Sequence, residues 1–196
     1  ACCRSRVGDT PEDLDAVRGP AAQLPVGGVD YHLSRLPESR ERECCGNASR
    51  EDPAHDDPAT IRFSARKGKP DFWVHPLAAA TKDLDGQHMA EIALMKEAGA
   101  RGVATGRRWI ADSGMMLKLL RYCAMLDLPL FVHSEDAGFA GNAVATTGAN
   151  ATLLGLSSAS PAAELLAIQR DLVLAEDSGA HIHFRQITTA RGLDLI

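Results

Sequence analysis

The sequence predicts an α/β fold, and within that class a partial (β/α)8 barrel of TIM type with an irregular N-terminal region. Three observations carry this. Apolar runs of strand length alternate with helical patterns four times after Asp56, the signature of a parallel sheet with right-handed crossovers. No GxGxxG or GxxxxGK[ST] turn follows a strand, which counts against an open nucleotide-binding sheet. Finally, Pro129-Leu130-Phe131-Val132-His133-Ser134-Glu135-Asp136 runs four apolar residues into a histidine and two carboxylates. A short continuous apolar run reads as a strand buried on both faces. Its last residue then stands at the carboxyl end, where α/β folds place their chemistry.

Residues 1 to about 55 scatter Arg, Gly, Pro and charge, and neither a period of 2 nor one of 3.6 persists. Such a composition reads as solvated chain. Within it only the segment around Val26–Leu33 has the makings of a short strand, and Arg40–Asn47 has no apolar face. From residue 56 to 196 the elements follow in order. Asp57 is placed as an N-cap with Pro58 at the first helical position. Phe72–Pro76 reads as a strand ended by proline. Residues 87–98 set Met89, Ile92, Ala93, Leu94 and Met95 at helical spacing, with Gly99 as the stop. Gly102–Thr105 is the next strand. Asp112-Ser113-Gly114 opens a helix through Met116, Leu119, Leu120, Cys123 and Leu126. After the strand at Phe131, loop and short helix fill residues 137–158. A long helix begins at Ser160-Pro161 and ends at Ser178-Gly179. His181–Gln186 is the last strand, and Thr188-Thr189 caps a helix that the chain end cuts short, which implies an incomplete chain.

Composition excludes several classes. A hydrophobic share of 45% with 24% charged residues is that of a folded soluble protein. Net charge −5 without a basic stripe argues against nucleic-acid binding. No apolar run approaches the roughly 20 residues that cross a bilayer, and no apolar core follows the N-terminal arginines, so no membrane or secretory role is expected and the cytoplasm is the default location. The cysteines Cys2, Cys3, Cys44, Cys45 and Cys123 have neither CxxC spacing nor a disulfide framework; Cys123 reads as helix core.

Single residues read as follows. His133 alone is more often a hydrogen-bonded strand-end histidine than a ligand. Glu135 and Asp136 have the chemistry of acid/base groups, but carboxylates that open a helix commonly cap it, and capping is the reading favoured. His181 and His183 imitate a His-x-His pair but read as residues facing a core or helix layer. Arg107-Arg108-Trp109 is either an anion or partner surface or a solvated loop with one packed tryptophan. Met115 and Met116 read as helix core.

Several segments, in one order and spacing, resemble the dihydroorotases of the cyclic-amidohydrolase group. They are Pro76-Leu77-Ala78-Ala79-Ala80-Thr81-Lys82-Asp83-Leu84-Asp85-Gly86, Lys96-Glu97-Ala98-Gly99-Ala100, Asp112-Ser113-Gly114-Met115-Met116, Leu128–Asp136, Ser160-Pro161-Ala162-Ala163-Glu164 and Thr188-Thr189-Ala190. Asp30-Tyr31-His32-Leu33-Ser34 resembles the first-strand Asp-x-His-x-His weakly. The resemblance implies a metal-containing barrel that interconverts dihydroorotate and N-carbamoyl-aspartate in pyrimidine synthesis, through zinc-bound hydroxide and a proton-transferring aspartate.

The same resemblance implies a damaged site. His133 matches a ligand and His32 matches the first histidine of its pair. Ser34 stands for the second histidine, Thr105 for a ligating aspartate and Gln186 for a sixth-strand histidine. Zinc takes three or four N, O or S donors, for which Thr and Gln are poor substitutes, so zinc is expected to be absent or weakly held. Three expectations follow: an inactive relative serving as scaffold for aspartate transcarbamoylase, in an oligomer or complex; an active metal-dependent cyclic amidohydrolase seen as an incomplete chain; or a frame-damaged reading of such a gene.

Overall fold

A computed structural model describes residues 54–66, 69 and 73–196 in full, and the backbone of Tyr31–Ser34 and Glu43–Gly46. The side chains of His32, Ser34, Cys44 and Cys45, and all of Cys2, Cys3 and most of the proposed strand at 26–33, lie outside the described residues.

The main sheet has the order β1-β2-β3-β4-β5-β8. Its strands are β1 (Tyr31–Ser34), β2 (Glu43–Gly46), β3 (Trp73–Ala79), β4 (Gly102–Ala104), β5 (Leu130–His133) and β8 (Ile182–Arg185). β1 runs antiparallel to β2, and every later neighbour is parallel. The helices are α1 (Pro58–Arg66), α2 (Ile92–Glu97), α3 (Ser113–Met125), α4 (Ala137–Ala140), α5 (Ala149–Leu153), α6 (Ala162–Ser178) and α7 (Ala190–Leu195). Between β5 and α6 the chain makes an excursion carrying α4, α5 and a two-stranded ribbon, β6 (Ala145–Thr146) with β7 (Ser158–Ala159). Val132 and Ile182 stand in adjacent parallel strands, as an α/β barrel requires.

The pleat sorts the side chains by parity. Ala78, Val103, Leu130 and Val132 face the helices and pack with Ile61, Ile92, Met95, Met116, Leu119, Leu120 and Cys123. Leu77, Ala79, Ala104 and Phe131 form a second cluster on the opposite face, with Leu84 against it. Gly102 permits that cluster. A Cβ there would lie 2.8 Å from Phe131 Cε2 and 3.0 Å from Leu77 Cδ2, so any side chain would displace the ring.

Local chemistry sets the helix ends. Asp57 accepts from Ala59 N at 2.7 Å, Asp112 from Met115 N at 2.8 Å and Thr189 from Gly192 N at 3.0 Å, each satisfying a first-turn N–H. Ala162 N donates to Ser160 Oγ at the start of α6. Gly179 closes that helix at φ +65, a left-handed turn that glycine adopts without a Cβ clash.

Three elements depart from the sequence reading. β3 continues through Pro76 to Ala79, because proline lacks only a donor and its carbonyl still accepts from Arg101 N at 3.0 Å. The helix expected over 87–98 starts only at Ile92. Asp85 takes the N–H groups of Gln87 and His88 at 2.7 and 3.0 Å, and Thr81 bridges Met89; local turn chemistry wins over apolar spacing. The stretch Glu43–Gly46, which has no period, is a strand beside β3.

Candidate functional site at the strand ends

The carboxyl ends of β4, β5 and β8 lie side by side and carry Thr105, His133 and Gln186 in turn. Thr105 is buried, and its backbone N–H donates to Phe131 O at 3.0 Å. Its hydroxyl takes the backbone N–H of His133 at 3.4 Å. It therefore braces the strand end. Gln186 stands one residue past the ladder, exposed and at φ +58.

His133 keeps 20% of its side chain exposed, and its Nε2 lies 3.4 Å from Glu135 Oε2. Its Nδ1 is buried without a hydrogen-bond partner. Glu135 therefore faces the imidazole, not a helix end, correcting the expected capping role. Asp136 alone caps α4, accepting from Gly138 N at 2.7 Å. Arg185, which the sequence reading passed over, registers directly against His133. Cross-strand partners about 5 Å apart project from the same face, so the two side chains leave the sheet on the same side. Only the register reveals that neighbour. His183, one pair back, packs its ring on Phe131 with centroids 4.8 Å apart, as a core-facing residue.

Two buried carboxylates support this end from behind. Glu164 on α6 accepts from Thr188 N at 2.8 Å and Thr188 Oγ1 at 2.6 Å, and from Thr189 N at 2.9 Å and Thr189 Oγ1. It thereby fixes the turn after Gln186. Burial works to raise its carboxyl, but those hydrogen bonds outweigh burial and hold it below the ordinary value. Asp171 is fully buried. Burial pushes its carboxyl up, against the opposing pull of Arg170, Ser134 and Trp109. Arg170 binds Asp171 through Nε at 2.9 Å and Nη2 at 2.5 Å, donates to Ile110 O at 2.7 Å and lies 3.9 Å over the Trp109 ring. Of the two readings for the Arg107–Trp109 stretch, the packed tryptophan is the one seen.

These donors do not fit a zinc centre. His133 and Glu135 are ligating types, but Thr105 is committed to a backbone N–H, and Gln186 is neutral. Among the described residues no three His, Cys, Asp or Glu side chains converge as a metal site. His32 lies on β1, separated from β5 by β2, β3 and β4.

A "Dihydro-orotase-like" family model matches residues 50–191. The chain belongs to the dihydroorotase-like family. It is 38% identical over 123 residues to a dihydroorotase-like protein of Pseudomonas putida, covering 63% of this chain and 29% of that protein. To a dihydroorotase of Ruminiclostridium cellulolyticum it is 34% identical over 146 residues, 74% of this chain and 34% of that protein. This dihydroorotase-like chain thus spans about a third of the length of the curated relatives it matches. In fold it is similar to L-hydantoinase (dihydropyrimidinase) from Arthrobacter aurescens, with TM-score 0.59 and 17% identity over 79% of this chain and 36% of that one. The expected barrel-type α/β architecture is borne out. Among the described residues, no helix is long and apolar enough to cross a membrane.

Proposed function

We propose that this dihydroorotase-like chain is a non-catalytic member of its metal-dependent amidohydrolase family, cytoplasmic, and a scaffold whose partner is aspartate transcarbamoylase. The observation that carries the reading is the company His133 keeps. A neutral threonine braces its backbone, a neutral glutamine follows β8, and Arg185 is registered against it. A divalent ion there would lose two anionic or imidazole donors, leaving fewer than the three or four that zinc takes.

The barrel wall tolerates such losses, because Ala78, Val103, Leu130 and Val132 hold it through apolar packing. The test is metal analysis of the purified chain grown with zinc, alongside dihydroorotate turnover and co-purification with aspartate transcarbamoylase. The expected result is far less than one equivalent of zinc, no turnover, and a stable complex. Near-stoichiometric zinc with turnover would overturn it.

One observation favours a second reading, an active metal-dependent cyclic amidohydrolase of which this chain is a part. The buried His133 Nδ1 lacks a partner, as a ligand awaiting an ion would. Restoring donors with Thr105→Asp plus Gln186→His separates the two. Tight zinc only in the double variant supports the loss of ligands; tight zinc in the unaltered chain supports the second reading.

A further inference from the structure

Beside the strand ends, a cavity of about 250 Å³ opens between the β6–β7 excursion and the turn joining β8 to α7. Its polar lining comes from Glu135, Glu164, Thr146, Ser160, Thr188 and Thr189, and among the described residues no Lys, Arg or His lines it. Proton accounting gives the lining its character. The Thr188 and Thr189 hydroxyls donate to Glu164, and the Thr189 oxygen also accepts from Gly192 N as the cap of α7. Ser160 Oγ accepts from Ala162 N and keeps its own proton as a donor, whereas the Thr188 and Thr189 backbone N–H groups are spent on Glu164. Glu164 is an ionised, buried carboxylate whose four partners there are all neutral, so none cancels its charge. Glu135, half-exposed, has only the long 3.4 Å approach of His133. Negative charge therefore dominates the wall, through Glu135 and Glu164, with the Ser160 and Thr146 hydroxyls as its neutral polar groups.

We propose that this cavity is a binding site for a small organic cation rich in N–H donors, an alkylammonium or alkylguanidinium group, with Glu135 as its ion-pair partner and Glu164 and the threonine oxygens lining the floor. A volume near 250 Å³ suits a head group with a short alkyl chain. Charge-assisted hydrogen bonds from such a donor to Glu135 are the strong, geometry-selecting ones.

The experiment titrates methylguanidinium and propylammonium chloride into the isotopically labelled chain and follows backbone amides by NMR. Sodium chloride at matched ionic strength and sodium propionate serve as controls. Saturable shifts confined to Glu135, Thr146, Ser160, Thr188 and Thr189 are expected with both cations, and none with propionate. Glu135→Gln should weaken binding by about tenfold, the worth of one charge-assisted contact. Ala145→Leu, which fills the lining from the β6 side, should abolish binding while the remaining amide spectrum is kept. Linear shifts that sodium chloride reproduces, equal binding of propionate, or unchanged affinity in Glu135→Gln would overturn the proposal.

Discussion

Removing the Glu164 carboxylate tests how the β8–α7 turn is held. Its four acceptor contacts serve two backbone N–H groups and two hydroxyls. The hydroxyls can rotate toward water in the adjoining cavity, whereas the N–H groups are fixed by the turn. Hydrogen bonds to a charged acceptor contribute about 1.5–3 kcal/mol each, and an orphaned buried donor costs about 1–3. Counting the two fixed donors fully and the hydroxyls little, Glu164→Ala should lower stability by about 2–6 kcal/mol. Glu164→Gln keeps one acceptor but turns an NH₂ group against the other donor pair, so about 2 kcal/mol is expected.

Urea unfolding reads this directly, as a lower midpoint with an unchanged slope. The pH dependence gives an independent check. The folded-state carboxyl lies below its ordinary 4.5, so its stabilisation is complete above that value and is lost as pH falls through the folded pKa. The gap between wild type and Glu164→Gln should therefore be widest near neutrality and shrink below about pH 4.5. A gap under about 0.5 kcal/mol at pH 7, within the range of neutral surface changes, or one that widens on acidification, would refute the reasoning.

Three further outcomes are expected. Gly192→Ala puts a Cβ 2.5 Å from Glu164 Oε1, 2.8 Å from Thr189 Oγ1 and 3.0 Å from Ile168 Cδ1, so it should cost about 1–3 kcal/mol; in a double-mutant cycle with Glu164→Ala part of that cost should vanish, since the tightest of the three contacts is gone. The buried Cys123 thiol, pushed up to about 12 by desolvation, should resist alkylation at pH 8 in the native chain and react promptly in urea, as read by peptide mass mapping. Asp112→Ala removes the acceptor for Met115 N and should cost about 1 kcal/mol by thermal unfolding.

Much of the fold was legible because local and global signals agree. Asp112, Thr189 and Gly179 are chemically suited to their capping positions, and the apolar runs at Leu130 and Val103 fall where the sheet needs them. The reading failed where backbone hydrogen bonding outweighs composition. Pro76 stays in its strand through its carbonyl, and Asp85 draws residues 85–88 out of the helix that their neighbours suggest. At the site, His133, Thr105 and Gln186 were found from their places in an ordered set of segments. Arg185 and Glu164 were not, because their roles depend on register and on contacts 24 and 25 residues apart. Pairing at that distance leaves no local pattern in a single chain.

The two faces of the sheet explain how this site and its support can diverge. Leu130 on the helix-facing side, and Leu119 and Leu120 of α3 packed in the same cluster, are fully buried, and truncating one costs about 2–5 kcal/mol, so that face tolerates little change. The strand-end residues carry no comparable packing. Gln186 is exposed, and Thr105 contributes one long hydrogen bond to the backbone beside it. Substitution there changes donor chemistry while the clamp from Glu164 and the Arg170–Asp171 pair keep the adjoining turns in place. Stability and ligand chemistry are thus set by different residues on neighbouring strands, so the loss of one does not entail the loss of the other.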